Sequence, residues 1–137
     1  MPDRCLAEWL TLLEARHPSE IDLGLDRVAA VWSELIAHRE QAGNPIQLPT
    51  VITVAGTNGK GSTCAMLEQI YKQAGYQVGC YTSPHLLRYN ERVRVNGVEV
   101  SDAELCAAFV AVDAARKDAD NIEMEPVPLD SGASDSN

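Results

Sequence analysis

Twelve consecutive residues, Val51-Ile52-Thr53-Val54-Ala55-Gly56-Thr57-Asn58-Gly59-Lys60-Gly61-Ser62, combine the side chains and the backbone freedom needed to hold a polyphosphate. A β-branched run enters a turn whose glycines, Gly56, Gly59 and Gly61, let the main chain curl, so that successive N–H groups face one concavity. The helix expected to follow adds the positive end of its dipole. Lys60 contributes a point charge suited to β- and γ-phosphates, and Ser62 a hydroxyl for a phosphate oxygen or a magnesium ion. The usual nucleotide loop carries a further glycine five positions before Gly59, where this chain has Val54, so the loop is a shorter variant. A tight strand-to-helix turn without a ligand is the alternative, and the flanking strand and helix favour the phosphate cradle.

The elements that must position this loop are legible around it. Residues 50–55 read as a buried strand. Residues 62–74 read as a helix with Met66, Leu67, Ile70 and Tyr71 inward and Gly75 as its stop, and residues 76–81 as the next strand. A strand, helix and strand of these lengths predict a right-handed βαβ unit with parallel strands. Its two strand ends, after Ala55 and after Tyr81, would open on the sheet edge where ligands bind in open α/β folds. That arrangement brings Thr82-Ser83-Pro84-His85 beside the loop and makes Ser83 a candidate magnesium ligand, since this ion takes few protein oxygens and keeps several waters. A plain Ser-Pro turn is the competing reading.

Outside this unit, Leu6, Trp9, Leu10 and Leu13 recur at helical spacing up to His17-Pro18. Leu25, Val28, Ala29, Trp32, Leu35 and Ile36 mark a second helix, broken by Gly43-Asn44-Pro45. Arg92-Val93-Arg94-Val95 and Val98-Glu99-Val100 flank Asn96-Gly97, a strong hairpin signal. Ser101-Asp102-Ala103-Glu104 is a capping box opening a helix with Leu105, Phe109 and Val112 on one side. From 117 to 137 the chain turns acidic, then rich in Pro, Ser and Gly, and reads as a disordered tail. The expected fold class is α/β: an incomplete P-loop-type parallel sheet with a βαβ unit, N-terminal helices and a β-hairpin.

Composition narrows the partners. A formal net charge of −9 over 137 residues leaves no basic face for nucleic acid. The apolar runs are strand-sized, and Met1-Pro2-Asp3-Arg4 lacks the layout of a secretory signal. Cys5, Cys64, Cys80 and Cys106 show no metal-type pairing, which fits a reducing cytoplasm. A cytoplasmic monomer acting on small molecules, with no membrane or nucleic-acid partner, is expected.

The Gly56-Thr57-Asn58-Gly59-Lys60 core resembles the ATP loop of the Mur-type amide ligases, and the following Gly61-Ser62 looks like the folylpolyglutamate synthase/dihydrofolate synthase branch. Ile21 to Val28, Thr53 to Ser62, Ala74-Gly75-Tyr76, and Thr82-Ser83-Pro84-His85-Leu86 through Asn90-Glu91-Arg92-Val93 stand in the order and spacing of the N-terminal part of the bacterial bifunctional enzymes. The resemblance implies an ATP- and magnesium-dependent ligase that joins L-glutamate to dihydropteroate and extends folates, by way of an acyl phosphate. It implies that Gly56, Thr57, Asn58, Gly59, Lys60, Gly61 and Ser62 bind ATP, with Lys60 catalytic. Ser83 would bind magnesium, and Asp22, Leu23, Gly24 and Leu25 would form part of the pteroate site. Asp22 reads equally well as a helix N-cap. His85, Arg88, Glu91 and Arg92 fall in what resembles the family's mobile loop, where a solvated role is the default.

Residues 1–116 would then be the N-terminal part of a Mur-ligase-like ATP-binding domain. In that family, segments further along supply a Glu and a His for magnesium, a modified lysine and a glutamate-binding domain, and Glu123 and Glu125 inherit no role. The chain alone is therefore expected to be catalytically inactive. A stand-alone nucleotide-binding or regulatory module is the reading from another class, and a cell-wall precursor ligase of the same superfamily is the rival substrate class. The Asp22 to Leu25 segment and Ser83-Pro84-His85-Leu86 argue for folate.

Overall fold

Local signals account for most elements of the computed structural model, which describes residues 3–16 and 25–124. Helices α1 (Leu6–Ala15), α2 (Asp26–Gln41), α3 (Lys60–Gln73) and α4 (Asp102–Met124) accompany strands β1 (Gly79–Tyr81), β2 (Val93–Val95) and β3 (Val98–Glu99). Two compact units emerge, Met1–Ile21 with Gln47–Val110, and Asp22–Ile46 with Ala111–Asn137.

In the first unit, Asn96 and Gly97 both take positive φ, 50° and 81°, closing β2 onto β3 as a two-residue hairpin requires. Asn96 also extends the β1–β2 ladder. Its N–H donates to the Val78 carbonyl at 2.8 Å, and its side-chain oxygen accepts the Val78 N–H at 2.9 Å. Helix α3 stops where Gly75, at φ 93°, turns left-handed, so that the N–H groups of Gly75 and Tyr76 reach back to the carbonyls of Lys72 and Tyr71. The Tyr71 and Tyr76 rings meet edge-on at 5.8 Å, the contact between the two ends of such a stop that usually accompanies it. Glu68 of α3 is 4% exposed and pairs with Arg94 of β2 at 3.2 Å, tying helix to sheet. Trp9 of α1 is 3% exposed and lies 5.9 Å from Phe109 of α4.

Ser101 and Glu104 form the expected capping box, each side chain accepting the other's backbone N–H, at 3.2 and 2.7 Å. In the second unit, α4 buries Ala115 and Ala119 one turn apart. Asp113 pairs with Arg116 and Lys117, and Arg116 also with Asp120. These one-turn pairs and the buried alanines carry the helix through Met124, so 117–124 are helical where a disordered tail was expected. The remainder of that tail, 125–137, lies outside the described residues. No helix among the described residues is long and apolar enough to cross a membrane.

The sheet departs from expectation. All pairing among the described residues is antiparallel, in the order β1-β2-β3 with Gly79 opposite Val95 and Tyr81 opposite Val93. Residues 50–55 form no strand and no βαβ unit is completed. Val51 and Ile52 stand 76% and 53% exposed, and Met66, Ile70 and Tyr71 of α3, expected inward, are exposed as well. The reason is that a strand is defined by its partner. An extended apolar segment with no neighbour in register has no ladder to join, and the helix that would cover such a sheet has nothing to bury against. The α/β mixture stands, while the parallel sheet is not among the described elements.

Candidate functional site

The loop from Gly56 to Gly59 leads directly into α3, which starts at Lys60, two residues earlier than the periodicity suggested. Gly59 is the N-cap at φ 74°, ψ 8°, a left-handed conformation that costs other residues about 1–2 kcal/mol. Its carbonyl accepts both the N–H and the hydroxyl of Thr63, at 3.0 and 2.9 Å. No side chain caps the helix and its first turn holds no acid, so no group of the loop itself occupies the N–H groups that an anion would use. Residues 55–63 are exposed, and nothing lies within 4 Å of where a Cβ would stand on Gly59 or Gly61. The Lys60 ammonium folds back to donate to the Gly56 carbonyl. One cation therefore spans the curl from its first residue to its last.

Ser83 follows β1 on an exposed turn with a cis peptide to Pro84. Its hydroxyl has no hydrogen-bond partner among the described residues, and no hydrogen bond links it to the phosphate-type loop. Ser62 and Ser83 thus both present exposed hydroxyls, oxygen donors of the kind magnesium takes. Of the four residues implied for a pteroate site, Asp22, Leu23 and Gly24 lie outside the described residues. Leu25 is 75% exposed and is itself the N-cap of α2, so the N-cap position falls on Leu25 and not on Asp22.

The segment after Ser83 is far more organised than a solvated loop. The Glu91 carboxylate accepts the backbone N–H groups of Leu86 (2.8 Å), Leu87 (3.0 Å) and Arg88 (2.8 Å). The Arg88, Leu86 and Leu87 N–H groups, helped by nearby His85, hold its carboxyl below the usual carboxylate range. Arg92 donates from Nε to His85 Nδ1 at 2.8 Å, which leaves the His85 proton on Nε2 when the ring is neutral. Both residues lean on Tyr89: the His85 ring lies at 5.7 Å and the Arg92 guanidinium at 5.1 Å from its centroid. Tyr89 in turn meets Phe109 at 6.1 Å, and Phe109 meets Trp9, so the loop rests on α4 and α1.

Asn90 anchors the 3₁₀ turn Tyr89–Arg92 from beneath. It is 2% exposed, and its amide donates to the Val100 carbonyl and to Asp102 Oδ1, both at 2.9 Å. Arg88 reaches the same Asp102 oxygen at 3.3 Å. Reading the sequence for charge alone missed this role of Asn90 and the triple capping by Glu91. The one available signal was the three-residue spacing from Arg88 to Glu91, without the Ser or Thr that usually advertises a cap. In β1, burial and the nearby Glu68 carboxylate push the Cys80 thiol up, with Cys64 alongside.

The chain is similar to known proteins in both sequence and fold. The chain is 51% identical over 113 residues to the dihydrofolate synthase/folylpolyglutamate synthase of Escherichia coli strain K12, covering 82% of this chain and 25% of that protein. It is 50% identical over 109 residues to the Haemophilus influenzae protein of the same name, covering 79% of this chain and 23% of the relative. It superposes with a TM-score of 0.71 on Escherichia coli FolC in complex with DHPP and ADP, at 49% identity over 84% of this chain and 26% of that one. A TM-score of 0.71 is also found with the Yersinia pestis bifunctional enzyme complexed with AMPPNP and Mn ion, at 47% identity over the same shares. No family model matches the chain. The chain spans about a quarter of the length of the curated relatives it matches. Half-identical to them over four fifths of its own length, and sharing their fold there, the chain is similar to one segment of the bifunctional dihydrofolate synthase/folylpolyglutamate synthases.

Proposed function

We propose that this segment is the nucleotide-holding part of an ATP-dependent ligase that joins L-glutamate to dihydropteroate and to folates through an acyl phosphate. The observation that carries the reading is the loop at the start of α3: a left-handed Gly59, uncapped helix N–H groups and Lys60 folded over the curl, all exposed. Those groups do what carboxylate activation needs, which is to hold a triphosphate and stabilise charge on the phosphoryl group in transfer. Residues 56–62 hold the nucleotide, and Lys60 acts on the transferring phosphate. Ser83 and Ser62 supply hydroxyl oxygens to a magnesium ion, which when bound neutralises phosphate charge. Relatives were solved with ADP and DHPP, and with AMPPNP, Mn and L-glutamate, and that ligand set supports the same partners for this chain. The Asp22 to Leu25 segment is assigned to the pteroate side on the resemblance alone.

The loop chemistry is sufficient for binding but not for turnover, because it contains no group for glutamate. Titrating the 137-residue polypeptide with ATP and magnesium in a calorimeter should give saturable binding. Lys60→Ala should weaken it by the worth of a charged hydrogen bond, about 1.5–3 kcal/mol, or roughly ten- to a hundredfold. Dihydropteroate, glutamate and ATP together should give no product with this polypeptide. A chimera in which residues 5–116 replace the matching segment of the Escherichia coli relative should regain glutamate ligation and lose it again with Lys60→Ala. Nucleotide binding indifferent to Lys60, or a folded chimera that is inert, refutes the reading.

A further inference from the structure

In the second unit, α2 and α4 bring together three side chains of metal-binding type. Glu34 and His38 are four residues apart on α2 and so share a face. Asp118 of α4 meets them, with its Oδ2 2.7 Å from His38 Nε2. One donor atom from each of Glu34, His38 and Asp118 can be chosen so that all lie within 4.8 Å of one another. Glu34 and His38 are half-buried, and Asp118 is exposed.

An ion pair between His38 and Asp118 accounts for only two of these residues. The Glu34 side chain makes no hydrogen bond or ion pair among the described residues, yet it sets a second carboxylate close to Asp118, which is repulsive unless a cation lies between them. The neighbouring cations do not fill that role. Arg116 is engaged by Asp113 and Asp120, and Lys117 by Asp113. His38 also stands in the last turn of α2, where the negative end of the helix dipole favours positive charge.

We propose that Glu34, His38 and Asp118 bind a divalent cation of the zinc class, with one imidazole nitrogen and two carboxylate oxygens as protein ligands and water completing the shell. The donor set selects the metal. Magnesium and calcium want all-oxygen shells, whereas imidazole with carboxylates suits zinc and its late transition-metal neighbours. Zinc–ligand distances of about 2.0–2.2 Å put tetrahedral ligand atoms roughly 3.4 Å apart. Small rotamer changes reach that spacing from the observed cluster, opening the His38–Asp118 pair and drawing Glu34 in. The bound ion would pin the C-terminal turn of α2 to α4, a structural role separate from nucleotide binding.

The test uses the full 137-residue chain, stripped with a chelator and kept reduced, titrated with Zn²⁺ by calorimetry and with Co²⁺ by visible absorption. The expected result is one equivalent of Zn²⁺ per chain, a rise in Tm on addition of Zn²⁺ and no displacement by excess Mg²⁺. The Co²⁺ spectrum should lack a thiolate charge-transfer band. His38→Ala and Glu34→Gln should each weaken binding at least about tenfold, since even the partners behind a metal ligand cost that much when removed. Circular dichroism confirms that each variant keeps its helices, and Asp118→Asn serves if one does not. No saturable Zn²⁺ binding, binding unchanged in both His38→Ala and Glu34→Gln, or a thiolate band that vanishes with Cys64→Ser and Cys80→Ser overturns the proposal.

Discussion

Asn90→Ala isolates the strut that holds the loop between Ser83 and Arg92. The wild-type amide is 2% exposed and donates twice, to the Val100 carbonyl and to the Asp102 carboxylate, both at 2.9 Å. A neutral buried hydrogen bond contributes about 0.5–1.5 kcal/mol net and one to a charged group about 1.5–3. Removing both gives an expected loss of roughly 2–4 kcal/mol, toward the low end because Arg88 still reaches Asp102 at 3.3 Å. With a urea m-value of about 1–3 kcal/mol/M for a chain of this size, the midpoint should fall by on the order of 1–2 M. Trp9 fluorescence is a suitable readout, because the ring is buried and linked through Phe109 to Tyr89, one residue before Asn90.

Asn90→Asp separates hydrogen bonding from volume. The carboxylate fills the same space but cannot donate, and it faces Asp102 with like charge. If the two donated bonds carry the stability, Asn90→Asp at neutral pH must be at least as damaging as Asn90→Ala. If packing carries it, the aspartate variant should be nearly neutral. A loss below about 0.5 kcal/mol for Asn90→Ala, within the range of ordinary surface substitutions, or a benign Asn90→Asp, refutes the account of this strut.

Three further outcomes follow from the same geometry. Gly59→Ala should cost about 1–2 kcal/mol from backbone strain alone, since nothing crowds the new Cβ, and Gly59→Asn should recover part of it; equal stability of wild type and Gly59→Ala in urea titrations would rule this out. Glu91 has a carboxyl held down by the N–H groups of Arg88, Leu86 and Leu87 in the folded state, so its contribution is present above the unfolded value, about 4.3, and is lost as pH falls through the lower folded value. Amide exchange protection at Leu86, Leu87 and Arg88 should therefore collapse on acidification below that range, and should already be absent at neutral pH in Glu91→Gln if the charge is what holds them. In the Glu68–Arg94 pair, Arg94→Met leaves a carboxylate whose side chain is 3% exposed without its partner, whereas Glu68→Met leaves an arginine whose side chain is 40% exposed and still bonded to the Gly97 carbonyl at 2.7 Å. Denaturation should show about 3 kcal/mol for the first and about 1 for the second, and the reverse order would contradict the asymmetry.

What could be read from the sequence was what short segments decide for themselves. Asn96-Gly97 makes its turn, Ser101 and Glu104 cap each other, and Gly75 stops α3, because each needs only residues within one turn of itself. The curl from Gly56 to Gly59 belongs to the same class. The loop after Ser83 did not yield to such reading. His85, Arg88, Glu91 and Arg92 are polar and close together, and polarity alone does not distinguish side chains facing water from side chains holding one another. What decides between them is the buried Asn90 and the Tyr89–Phe109–Trp9 stack, which joins residues far apart in the chain.

The parallel sheet shows the same limit from the other side. Val51 to Val54 has the composition of a buried strand, but composition states only what a segment could satisfy, not whether a neighbour is present to satisfy it. Among the described residues nothing pairs with 50–55, and Val51, Ile52, Met66 and Ile70 remain exposed together. The phosphate-type loop that these elements bracket is nevertheless formed, because its shape comes from the left-handed Gly59 and the start of α3 rather than from the sheet. The shape of the loop and completion of the sheet are therefore separable: the loop geometry is a local property of residues 56–63 and forms without any strand pairing at 50–55. On the function proposed above, a strand partner supplied along 50–55 should leave the loss of ATP affinity caused by Lys60→Ala unchanged in calorimetric titration, and a changed loss would show that the sheet, and not the loop alone, sets the position of Lys60.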